Sequence, residues 1–75
     1  MSLKKDLAKE IQLLENEIKE LEVKRTRSMS SLMESLISRK DPEETEMQFF
    51  RQYTAEIDVK REKLVELTEQ LKKIV

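Results

Sequence analysis

Between Phe50 and Ile74, apolar residues return at alternating steps of three and four: Phe50, Tyr53, Ile57, Leu64, Leu67, Leu71 and Ile74, interrupted only by Lys60. That spacing draws one narrow stripe down a helix, the pattern of a coiled-coil seam. A helix with a single apolar stripe must remove it from water against another element, so this stretch requires a partner.

The chain carries a matching stripe near its start. Leu7, Ile11, Leu14, Ile18 and Leu21 step by four and three, with charged residues on the other faces. Ser2 stands where an N-cap would sit. Between the two stripes, Ser38 to Glu44 reads as a corner. Asp41 is a good N-cap residue, Pro42 suits the first helical position, and Glu44 completes a capping-box spacing. Arg39 and Lys40 have the favourable sign for the end of the preceding helix.

These signals predict helices over 3–38 and 42–74 with a corner at 39–41, all within one unit spanning 1–75. Each helix would be about 50 Å long. The expected fold class is all-α, an antiparallel two-helix coiled-coil hairpin that dimerises into a four-helix bundle. Its layers would pair Leu7 with Ile74, Ile11 with Leu71, Leu14 with Leu67 and Ile18 with Leu64, then Leu21 with Lys60, Arg25 with Ile57 and Leu32 with Phe50.

The middle of the first helix is less regular. Continuing the four-three step past Leu21 selects Arg25 and Ser28, whereas apolar residues resume at Met29, Leu32 and Leu36. The expectation is a change of register there, with local unwinding of the supercoil. Ser28, Ser30, Ser31, Ser35 and Ser38 weaken helix propensity over the same region, so a Ser-rich joint at 26–31 competes with a continuous helix. Arg25 and Lys60 can lay their methylenes over the seam and reach Glu20, Glu22 or Glu56.

Composition narrows the chemistry. With 75 residues, a multi-domain reading is excluded, and an isolated hairpin of this size is marginal, which favours oligomerisation. The chain contains no His, Cys or Gly. It therefore lacks imidazole for acid-base work, thiolates for a metal and glycines for a phosphate loop, and no catalytic, cofactor-binding or metal-binding residue is expected. No apolar run approaches membrane-spanning length, and the absence of cysteine fits the cytoplasm.

Two surface features remain. Met33, Ile37, Met47 and Phe49 lie beside the corner stripe and form a candidate interface for a second copy, giving a homodimer, or for a different protein partner. Phe49 and Tyr53 are candidate anchors. Opening the corner to exchange helices between two chains would bury the same stripes, so a swapped dimer stays open. The second feature is the basic set Lys24, Arg25, Arg27, Arg39 and Lys40. Residues 25–40 hold four basic residues against Glu34 alone, a charge of +3, while residues 41–62 hold seven acidic against three basic, a charge of −4. This asymmetry fits complementarity between the two halves; the alternative is a phosphate-contacting patch of a small nucleic-acid-associated regulator. Arg25 and Arg27 also precede Ser28, Ser30 and Ser31 closely enough to suggest a basic-directed phosphorylation site. Together, the residues point to a non-enzymatic oligomerisation and protein-interaction module.

Overall fold

The computed structural model describes residues 2–74 and contains two helices, α1 (Leu3–Ile37) and α2 (Glu44–Lys73), folded back on each other as an all-α hairpin. The molecule is a rod of 55 × 16 × 14 Å. Its radius of gyration is 17.0 Å, against about 11 Å for a compact chain of this length, so no side chain is far from solvent.

Burial follows one line along the pair. Leu7, Leu14 and Leu67 form one buried cluster, flanked by Ile11, Leu64 and Leu71. Ile18, Leu21 and Ile57 form a second, flanked by Tyr53 and Leu64. Leu64 belongs to the edge of both, which makes the two clusters one continuous seam. Among the described residues, Ile57 alone is fully enclosed, at 0% exposure. It groups with Ile18 and Leu21, where the sequence reading set it opposite Arg25. Ile74, expected to layer on Leu7, caps α2 and is exposed.

The first helix does not change phase. It runs without a break through the serine-rich segment, so there is no joint at 26–31. Thr26 Oγ1 donates to Glu22 O at 2.9 Å and Ser35 Oγ to Ser31 O at 3.2 Å, so these hydroxyls bond within the helix instead of replacing it. With the backbone unbroken, the inward face continues from Leu21 to Arg25, Ser28, Leu32 and Ser35, all half-buried. Met29 and Leu36, which an eleven-residue step would have placed in the seam, are exposed. A continuous helix keeps its rotation of about 100° per residue, and the hydroxyls are small enough to sit at the contact without forcing a shift.

The corner is longer than expected and is built differently. Lys40 N donates to Ser35 O at 2.9 Å and Arg39 N to Leu36 O at 3.2 Å, with Arg39 left-handed at φ 56°. This is the paired bonding of a Schellman C-cap, with arginine where glycine is usual. The second helix then begins at Glu44, with Glu43 as an extended N-cap whose side chain makes no capping bond. Asp41 and Pro42 stand before the helix, so neither the Asp41 cap nor Pro42 at the first helical position is realised. The cap takes up Ser38 and Arg39, and residues 40–43, outside both helices, make the crossing. At the other end, Ser2 is the N-cap residue, but its hydroxyl makes no capping bond and only its carbonyl joins the helix, accepting Asp6 N at 3.1 Å.

Three outcomes follow in thermal and urea unfolding. Replacing Arg39 with Gly removes the Cβ conflict of the left-handed residue and should stabilise the hairpin by about 1 kcal/mol, raising Tm by roughly 4–8 °C, while Asp41→Ala should change stability by less than about 0.5 kcal/mol. Ile57→Ala should cost about 2–5 kcal/mol, because it empties the one fully enclosed position of the seam.

Candidate interaction surface

The two ends of the seam are held by different chemistry. Toward the open end, hydrocarbon closes it, and two cross-helix ion pairs stand beside the hydrocarbon: Lys60 Nζ to Glu17 Oε2 at 2.6 Å and Arg61 to Glu22 Oε1 at 2.6 Å. Lys60 thus turns to Glu17, while Glu22, one of its expected acceptors, is taken by Arg61. Both pairs are largely open to water, so they orient the helices more than they stabilise them.

Toward the corner, the cross-helix contact is polar. Ser31 Oγ donates to Glu46 Oε1 at 2.9 Å in a partly buried position. On the same side of α2, Phe49 follows Glu46 by three residues and stacks on Tyr53, with ring centroids 6.2 Å apart and planes at 16°. On the other side of the pair, Arg25, Thr26, Met29, Ser30 and Phe50 line a shallow cleft of about 170 Å³.

This geometry divides the four residues first grouped as an interface. Met33 and Ile37 are exposed on α1 at 54% and 79%, and they share a helical face with Met29 and Leu36, since Met33 lies four residues from Met29, three from Leu36 and four from Ile37. Met47 is half-buried. Phe49, although exposed, lies about 100° around α2 from Phe50 and joins the Ser31–Glu46 side. The apolar surface is therefore centred on α1, and Met29 and Leu36 belong to it. The signal for both was present in the sequence: extending the Leu7 to Leu21 stepping without interruption sends them outward.

A second apolar feature was missed. Leu13 and Val59, both exposed, lie with Leu14 and Leu67 in an open groove of about 400 Å³ rimmed by Glu10, Glu17, Lys60 and Lys63. The two residues stand one on each helix beside the seam and outside its stepping, so the stripe alone did not mark them.

The basic residues do not converge. Arg25 is half-buried at the edge of the Met29 cleft, while Lys24 and Arg27 are exposed and Arg39 and Lys40 lie in the corner. At about 100° per residue, Arg25 and Arg27 point to nearly opposite sides of α1. Among the described residues, no group of three or more acidic side chains is arranged to hold a metal ion, and no helix is long and apolar enough to cross a membrane.

Comparison with known protein families, curated proteins and solved structures returns no match.

Replacing Ser31 with Ala should destabilise the hairpin by about 0.5–1.5 kcal/mol, the scale of one partly buried hydrogen bond. Amide hydrogen exchange should localise the loss to the corner end and leave the Leu7 and Leu67 region protected.

Proposed function

We propose that this chain is a non-enzymatic oligomerisation and protein-interaction module: an antiparallel coiled coil that pairs with a second copy of itself to make a four-helix bundle. The observation that carries the reading is the run Met29, Met33, Leu36 and Ile37, exposed at 43%, 54%, 67% and 79% on one flank of a helix whose inward face already meets α2. Four large apolar side chains sharing one helical face on a 75-residue chain mark an association site more readily than a solvated surface.

The remaining features agree with this role. The seam stripes step by three and four as coiled-coil helices do, and the clefts are open to solvent, without the enclosed recess that would shift the pKa of a carboxylate for catalysis. Charge is spread as a mixed surface, and the cations that a nucleic-acid reading requires are distributed around α1 and the corner. A chain without cysteine suits the cytoplasm.

Light scattering on a size-exclusion column tests the proposal. The expected mass is twice the 9.0 kDa of one chain, falling to one chain at high dilution. Leu36→Glu combined with Ile37→Glu should give a helical monomer at every concentration. A wild-type chain that remains monomeric at high micromolar concentration overturns self-association.

A further inference from the structure

Resting on that dimer, we infer that Ser30 is a phosphorylation site for a basic-directed protein kinase, and that its phosphate separates the two copies.

Arg25 and Arg27 stand five and three residues before Ser30, a spacing of cations that an acidic substrate groove can read along an extended segment. The neighbouring hydroxyls are less free to accept a phosphoryl group. Those of Thr26, Ser31 and Ser35 are engaged in hydrogen bonds to Glu22 O, Glu46 Oε1 and Ser31 O, and Ser28 is half-buried on the inward face. Ser30 is exposed, and its hydroxyl makes no hydrogen bond among the described residues.

In the closed helix the two arginines point to nearly opposite sides of α1, so a kinase reads both only when this segment opens. The packing favours opening here. The buried residues of α1 are Leu7, Leu14, Ile18 and Leu21, whereas the inward positions beyond them, Arg25, Ser28, Leu32 and Ser35, are only half-buried. Ser30 Oγ then attacks the γ-phosphorus of ATP. The new O–P bond replaces the one to the bridging oxygen, ADP leaves, and the hydroxyl proton passes to the catalytic carboxylate of the kinase.

The place of Ser30 on the helix gives the phosphate its effect. It precedes Met33 by three residues and Ile37 by seven, which sets it on the same outward flank, and with Met29 and Phe50 it lines the cleft of about 170 Å³. A group of charge about −1.5 to −2 then stands among the apolar side chains that a second copy must cover. Arg25, which also lines the cleft, carries one positive charge, and the remainder would have to be stripped of water without a partner. Within the helix the change is mild, because Arg27 three residues before the phosphate and Glu34 four after it act in opposite senses. The dimer covers this segment, so transfer takes place on the separate hairpin and bars its return.

The test treats the full chain with ATP and a purified serine kinase that selects arginines three and five residues before its acceptor. Mass spectrometry of the intact chain and its fragments should find one phosphate, on Ser30. Arg27→Ala, on the far side of α1 from Met29, should slow the transfer about tenfold or more and leave the dimer unchanged. Light scattering should give the unmodified chain as a dimer and the phosphorylated chain as a monomer with unchanged helical circular dichroism, its dissociation constant raised about a hundredfold or more. A phosphate on Ser28 or Ser31 in place of Ser30, or none, overturns the site. A chain phosphorylated on Ser30 that loses its helicity, or that still elutes as a dimer, overturns the switch and leaves the dimer of the unmodified chain standing. A monomer before any kinase is added overturns the dimer and the switch together, and the position of the phosphate still decides the site.

Discussion

Everything in this hairpin depends on the closure of hydrocarbon around Ile57. A two-helix rod has no interior in the ordinary sense, and the seam is one side chain deep. Ile57 is nonetheless fully enclosed, with Ile18 and Leu21 opposite and Tyr53 and Leu64 along its own helix. Because Leu64 also touches the Leu7, Leu14 and Leu67 cluster, the enclosure at Ile57 passes along the seam to the open end. The charged bridges from Lys60 and Arg61 straddle that junction and hold the relative position of the helices where the stripe itself carries a lysine. Their exposure limits what they add to stability, and their geometry explains how Lys60 is tolerated: the half-buried side chain carries its ammonium to Glu17.

The behaviour of the first helix explains the surface. A helix of 35 residues without Gly or Pro has no place to absorb a change of phase, and so its inward face is dictated by where it began. Starting from Leu7, that face arrives at Arg25, Ser28, Leu32 and Ser35. The apolar residues in the same segment are carried to the outside. An exposed Met29, Met33, Leu36 and Ile37 are thus a mechanical consequence of an unbroken helix meeting a sequence whose apolar positions have shifted.

Two helices, their lengths to within a few residues and the fold-back between them were legible from spacing alone, because amphipathic stripes and a proline-marked break are local signals. The corner was not. Asp41, Pro42 and Glu44 make a strong local case for a helix start, but the Schellman cap formed by Ser35, Leu36, Arg39 and Lys40 determines where the chain can turn, and it places a left-handed residue at an arginine that nothing in the sequence singles out. The exposed apolar face was partly legible: Met33 and Ile37 stand exposed on one face, whereas Phe49 requires knowing that Ser31 binds Glu46 and so fixes which side of α2 it occupies. Contacts between helices, unlike those within one, leave no fixed spacing to read.

The uneven seam has a physical logic. Near the corner, the covalent connection already keeps the helices together, and the entropy lost in pairing them there is small because the closing loop is short. One hydrogen bond and a few half-buried side chains suffice at that end. The open end lies about 50 Å from the turn, where no covalent link opposes fraying, and there Leu7, Ile11, Leu14, Leu67 and Leu71 are concentrated. A hairpin that needs its leucines at the open end can dispense with them inside the corner end. The apolar residues of that segment are then free to face outward, at the part of the rod where exposing them endangers the fold least.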